Sequence, residues 1–170
     1  GIVLSMLHGI PILLKDNIAT RWQDGMNTTA GSYALRGSVP PAEATVAKKL
    51  ADAGAILLGK TTLSEWANFR GSGIPSGWSG INEQATSPFY PRGDACGSST
   101  GSGIAAALGL AAGTLGTETD GSIICPSNRN NLVGLKPTVG LTSRHLVIPI
   151  SQTQDSVGPM CRSVADVAAI

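Results

Sequence analysis

The chain of 170 residues is long enough for one domain with a substantial apolar core and short for two. Charged residues make up only 14% of it, against roughly 25% in an ordinary soluble domain, so much of the chain is expected to be buried. The formal net charge is +1 and basic residues do not cluster, which argues against nucleic acid or an anionic membrane surface as a partner.

Apolar runs alternate with helical patterns along the chain. Residues 10–16 predict a buried strand, residues 43–54 an amphipathic helix, and residues 55–59 a second buried strand. Residues 103–113 are apolar on every side, which predicts a buried helix, and a strand is expected at 114–118. This alternation predicts an α/β domain around a largely buried sheet.

The hydrophobic runs are too short to cross a membrane. The longest, at 104–112, is about half of the roughly 18 to 20 apolar residues that a span needs. The chain begins with Gly, and its last residues stop within an apolar helical pattern. We therefore expect both termini to be cut edges of a longer domain.

Residues 54–61, "GAILLGKT", match the phosphate-loop pattern G-x-x-x-x-G-K-[ST] letter for letter. A phosphate loop needs a strand before its first glycine and a flexible loop between its glycines. Here a predicted helix precedes Gly54, and the four residues between the glycines form an apolar run. Backbone N–H groups that are paired in a sheet cannot hold phosphates, so we interpret the segment as a helix-to-strand connection with Lys60 near the strand end.

The three cysteines, Cys96, Cys125 and Cys161, are an odd number at wide spacing. They match neither a disulfide framework nor a zinc-ligand pattern, which favours a reducing compartment and no metal site. We interpret Cys125 as a small buried apolar side chain.

Two loops carry serines in settings suited to catalysis. The stretch "CGSSTGSG" at 96–103 admits three interpretations: a linker, a phosphate cradle or a catalytic loop. In the second loop, at 116–123, Ser122 follows a glycine near a strand end, where backbone N–H groups could form an oxyanion hole. A serine nucleophile needs a base, and Lys15 ends an apolar run where burial would lower its pKa.

Several blocks together resemble the amidase signature family, from about residue 7 to the last residue. They include "LHGIPILLKDNI", "AGAILLGKTTLSEWANF", "CGSSTGSG", "LGTETDGSI" and "VIPISQTQDSVGPM". The resemblance implies an α/β/α sandwich around a mixed, largely buried central sheet. It also implies serine-dependent hydrolysis of a small-molecule amide through an acyl-enzyme, without a cofactor, and that the chain is the central portion of one longer domain.

The family's catalytic residues fall on specific positions of this sequence. The resemblance implies that Lys15 is a neutral base, that Ser98 follows a cis peptide bond and relays the proton, and that Ser122 is the nucleophile. It further implies an oxyanion hole from the backbone N–H groups of Thr119, Asp120, Gly121 and Ser122. Ser99 is a candidate assisting residue, with a structural turn role as the equal alternative.

The sequence departs from the common family pattern at two positions. Ile124 stands where many members have arginine, and Thr100 stands at a usual Gly or Ser. Both departures favour a stand-alone amidase of fungal or plant type. The alternatives are a glutaminase similar to the ammonia-releasing subunit of glutamyl-tRNA amidotransferase, and a catalytically incompetent fragment of an amidase.

Overall fold

The structure is a computed structural model and describes residues 5–170. The strands are β1 Pro11–Lys15, β2 Ile56–Thr61, β3 Trp78–Ser79, β4 Glu83–Gln84, β5 Gly113–Glu118, β6 Val133–Gly134 and β7 Ser156–Cys161. The α-helices are α1 Thr45–Asp52, α2 Thr100–Ala107, α3 Ile124–Arg129 and α4 Val164–Ala169. Short 3₁₀ segments lie at Trp22–Asp24, Tyr33–Leu35 and Glu65–Asn68.

Five strands form one mixed sheet in the order β2-β1-β5-β7-β6. β1 is parallel to both β2 and β5, whereas β7 runs antiparallel to β5 and β6. Every residue of β5 and β7 is buried. The mixed, largely buried sheet is therefore confirmed.

Helices cover both faces of this sheet. Leu14 and Leu115 point to one face, where they pack in a core cluster with Leu50 of α1. Thr114 points to the other face, where its hydroxyl donates to the Ser102 carbonyl of α2 at 3.1 Å. The two helices enclose the sheet as an α/β/α sandwich, as the resemblance implied.

All three predicted strands are present, but β2 is an edge strand and the prediction that it is buried was wrong: Ile56 and Leu58 are 52% and 53% exposed. The predicted helix at 103–113 is displaced. α2 begins at Thr100 and ends at Ala107, and Leu108 and Leu110 are 56% and 59% exposed. The sequence pattern missed this because residues 108–112 are apolar yet form the turn that returns the chain to β5. None of the helices in the described range is long and apolar enough to cross a membrane.

The phosphate-loop match lies in strand, as predicted. β2 begins at Ile56, inside the pattern, and continues through Lys60. The Lys60 ammonium donates to the Ile18 carbonyl at 2.6 Å and to the Thr28 hydroxyl at 3.0 Å. Lys60 therefore ties β2 to a neighbouring loop.

The parallel strands direct their carboxyl ends to one edge of the sheet. β1 ends at Lys15, β2 at Thr61 and β5 at Glu118. In open α/β sheets, ligands bind in the crevice outside these ends. This edge carries the sequence-predicted site residues.

Candidate active site

Lys15 is the last residue of β1 and its side chain is fully buried. Its Nζ donates to Ser98 Oγ at 2.8 Å and to the Thr117 carbonyl at 3.1 Å. An alternating strand directs residue 15 to the face opposite Leu14, which is the face that α2 covers. Ser98 lies just before α2, so the topology joins two residues 83 positions apart.

Burial lowers the pKa of Lys15 from 10.5 to about 7. A buried ammonium loses its hydration, which disfavours the charged form. The negative charges of Glu118 and Asp155 act in the opposite direction and raise the pKa of Lys15, but less strongly than burial lowers it. Lys15 therefore has a substantial neutral fraction at neutral pH.

The Gly97–Ser98 peptide bond is cis, as the resemblance implied. Gly97 sits against side chains that leave no room for a larger residue. A Cβ at this position would lie 2.5 Å from Ser64 Oγ and 2.9 Å from Thr100 Oγ1. The Ser98 carbonyl accepts from the Ser64 N–H at 3.1 Å, which fixes this side of the loop.

Ser99 connects the first serine loop to the second. Its N–H donates to the Ser122 carbonyl at 3.1 Å. Its Oγ donates to the Thr117 carbonyl at 3.1 Å and accepts from the Thr117 N–H at 3.2 Å. These bonds hold the loop of Ser98 beside the loop of Ser122.

Ser122 lies at the same edge of the sheet and is 9% exposed. Within residues 5–170 its hydroxyl makes no hydrogen bond, so the structure joins Lys15 to Ser98 directly but does not join Ser98 to Ser122 through their hydroxyls.

The backbone of residues 119–122 has donors available for a ligand. None of the N–H groups of Thr119, Asp120, Gly121 and Ser122 donates to an acceptor in the described part of the chain. Gly121 has a φ of +81°, a left-handed conformation that glycine adopts without steric cost. Consecutive free N–H groups in such a turn can bind an anion.

Sequence reasoning missed two buried or partly buried carboxylates that hold this loop. The Oε2 atom of Glu118 accepts hydrogen bonds from the N–H groups of both Ile123 and Ile124, at 2.7 and 2.8 Å. Asp155 accepts from the Thr119 hydroxyl at 2.6 Å. Glu118 is the last residue of the strand predicted at 114–118, and a carboxylate at the end of a buried strand is a signal that it has specific donors.

A cavity of about 290 Å³ adjoins the loop. Thr117, Thr119 and Asp155 form one side of it, and Arg144 and Ile148 contribute to the rest. Lys15 and Ser122 are not among its lining residues. The space lies beside the loop that precedes Ser122.

The cysteine interpretation was wrong for two of the three residues. Cys96 and Cys125 form a disulfide, with a Cα–Cα distance of 5.8 Å, and only Cys161 is free and buried. Cys125 is therefore not an isolated apolar side chain. Spacing along the chain failed here because the fold brings together a loop and the helix α3, with the two cysteines 29 residues apart. The pairing removes the basis for expecting a reducing compartment. No group of metal-ligating side chains occurs in residues 5–170.

Comparison with known proteins identifies the family. The model of the Amidase family matches residues 3–170. The chain belongs to the amidase family. A candidate amidase of Arthroderma benhamiae is 56% identical over 162 residues, which are 95% of this chain and 27% of that protein.

Two further amidase-family proteins extend the comparison. The solved structure of peptide amidase from Stenotrophomonas maltophilia superposes with a TM-score of 0.94 at 55% identity, covering 98% of this chain and 34% of that one. A glutamyl-tRNA(Gln) amidotransferase subunit of Trichodesmium erythraeum is 42% identical over the whole chain, which spans 33% of it. The chain thus spans about a third of the length of the amidases that it matches.

Proposed function

We propose that the protein to which this chain belongs hydrolyses a carboxylic amide, with Ser122 as nucleophile, Ser98 as proton relay and Lys15 as base. The observation that carries the proposal is the buried contact of 2.8 Å between Lys15 Nζ and Ser98 Oγ, combined with a Lys15 pKa of about 7. A base of this pKa is matched to proton transfer at neutral pH. Family membership supports amide hydrolysis as the reaction.

In the proposed first step, neutral Lys15 accepts the Ser98 proton while Ser98 accepts the Ser122 proton. Ser122 Oγ then bonds to the amide carbonyl carbon, and the carbonyl oxygen becomes an oxyanion. The free N–H groups of residues 119–122 are suited to stabilise that charge. Each donor of this kind contributes roughly 10²- to 10³-fold in kcat in other acyl-transfer enzymes.

In the second step, the Lys15 ammonium returns the proton through Ser98 to the leaving nitrogen. The C–N bond breaks, the amine departs, and an ester to Ser122 remains. Water, deprotonated along the same route, attacks this ester, releases the carboxylic acid and restores the serine. No step uses a metal or a cofactor.

The substrate we propose is a small amide or the amide of a peptide. The likeness to peptide amidase supports this class. The glutaminase alternative is supported by the 42% identity to the amidotransferase protein. Ammonia released from glutamine at a rate comparable to the best peptide or small amide would favour the glutaminase.

The proposal is tested by turnover of an amide panel by the full-length protein and its Ser122→Ala variant. We expect the variant to lose roughly 10³-fold or more in kcat, because the covalent route is removed. Unchanged circular dichroism and thermal midpoint would show that the fold persists. A Ser143→Ala variant, at a partly buried serine outside the site, serves as the matched control. Retained amide turnover by a folded Ser122→Ala protein would contradict the assignment.

A further inference from the structure

The disulfide lies between the two serine loops. Cys96 stands two residues before Ser98, and Cys125 stands three residues after Ser122 and within α3. The covalent bond therefore spans the same two segments that Ser99 joins through its N–H bond to the Ser122 carbonyl.

Hydrogen bonds also join these segments, among them one from Ser102 Oγ to the Leu115 carbonyl at 3.0 Å. Besides the bonds of Ser99, Asn130 Nδ2 donates to the Ala95 carbonyl at 3.1 Å. Cys96 lies just outside α2, and only residues 97–99 separate it from the start of that helix. The disulfide adds a covalent bond to these cross-contacts and acts at the residues next to Ser98 and α3.

Each end of the disulfide is also anchored to a catalytic segment. The Cys96 carbonyl accepts from the Thr100 hydroxyl at 2.6 Å, at the start of α2. The Cys125 N–H donates to the Gly121 carbonyl at 2.7 Å, in the turn that leads into Ser122. A displacement of either cysteine is thus passed directly to the residues beside Ser98 or Ser122.

We propose that the Cys96–Cys125 disulfide positions Ser98 against Ser122, and that its reduction by a small dithiol lowers catalysis without unfolding the protein. The inference rests on the proposed function. Both cysteines are partly exposed, whereas the free Cys161 is fully buried. A dithiol in solution can therefore reach the Cys96–Cys125 disulfide but not Cys161.

The reduction step is an ordinary thiol–disulfide exchange. A thiolate of the dithiol attacks one sulfur, which breaks the protein S–S bond and forms a mixed disulfide. The second thiolate of the reagent attacks that bond, and the reagent leaves as its cyclic disulfide. The protein gains two electrons and two protons and holds two thiols.

The test compares steady-state kinetics of the full-length protein before and after dithiothreitol treatment, with alkylation and mass measurement to count the released thiols. We expect kcat to fall roughly 10- to 100-fold with KM within about two-fold, because misplacement by about 1 Å has effects of that size on the chemical step. Reoxidation with a low-molecular-weight disulfide should restore kcat. A Cys96→Ser/Cys125→Ser protein should have the low kcat already and should not respond to the reagent.

Three results would overturn the inference. The first is an unchanged kcat in the fully reduced protein, and the second is a change confined to KM. The third is a loss of activity accompanied by loss of the circular-dichroism signal, because the disulfide would then stabilise the fold as a whole. Ser122→Ala in the oxidised protein separates the two claims. If that variant loses turnover and reduction changes nothing, the disulfide inference alone fails. If Ser122→Ala keeps turnover, the proposed function fails.

Discussion

Lys15 is the residue whose protonation state controls the proposed reaction. The same burial that lowers its pKa also makes it costly to keep charged, since a buried ammonium loses its hydration. The Thr117 carbonyl and Ser98 Oγ are its hydrogen-bond partners, and neither is an anion. A lysine at the end of an apolar strand thus becomes a proton acceptor near neutral pH.

The pH dependence of turnover follows from the lowered pKa of Lys15. Below about pH 7 the ammonium cannot accept a proton, and above it the neutral amine can, so kcat/KM for an amide should rise as pH increases through about 7. The measurement is a pH–rate profile from about pH 5 to 9, with Lys48→Ala as a control at an exposed lysine paired with Asp52. A profile that is flat or falling through neutral pH would contradict the role of Lys15.

The lowered pKa of Lys15 also makes the free energy of unfolding depend on pH. Between about pH 7 and pH 10.5 the unfolded chain holds the Lys15 proton and the folded chain does not. The free energy of unfolding therefore increases with pH through this window. The destabilisation that comes from burying Lys15 is greatest below about pH 7, where the buried group must carry its charge.

Asp155 connects the loop after β5 to the segment before β7 through hydrogen bonds. It immediately precedes β7, and its Oδ2 accepts from the N–H groups of Ile150 and Ser151 at 2.8 and 3.0 Å. Its Oδ1 accepts from Thr119, the first residue after β5. One carboxylate therefore fixes the start of β7 against the loop that leads to Ser122.

Asp155→Asn removes the charge of this residue and keeps one of its two acceptor oxygens. The amide oxygen can still accept from the N–H groups of Ile150 and Ser151, and the amide nitrogen can donate to the Thr119 hydroxyl. The negative charge that raises the pKa of Lys15 is gone. We expect the rise of kcat/KM with pH, which we call the acidic limb of the profile, to move to lower pH. Asp52→Asn, which removes an exposed carboxylate paired with Lys48, is the matched control and should leave the limb in place. A limb that stays unchanged or moves to higher pH in Asp155→Asn would show that its charge does not act on Lys15.

The elements that could be predicted from sequence are those with a local signal. β1 and β2 contain short apolar runs, and α1 has one apolar face, so the sequence pattern alone indicates them. The end of α2 gave no such signal, because Leu108 and Leu110 are apolar but exposed. There, the need to turn back into β5 outweighs the preference of leucine for burial.

The site residues divide in the same way. Local signals indicate Lys15 and Ser122 as candidates, but only the family resemblance predicts that they act together with Ser98, since nothing local links residues so far apart in the chain. Asp155 and the disulfide partners were missed because their roles depend on contacts that only the fold creates. Thr119 and Asp155, for example, are 36 positions apart.

Taken as a whole, residues 1–170 carry the candidate catalytic groups but span only about a third of related amidases. An inert fragment and a working enzyme thus differ in whether Ser122 is activated, which a mechanism-based probe can measure.

The most direct measurement is labelling of the full-length protein with a fluorophosphonate serine probe, followed by digestion and mass mapping of the modified residue. We expect one label on Ser122, none on the Ser122→Ala protein, and slower labelling when Lys15 is replaced by alanine. A label on Ser98 or on another serine would contradict the assignment of Ser122 as the nucleophile. So would a folded, amide-hydrolysing protein that takes up no label.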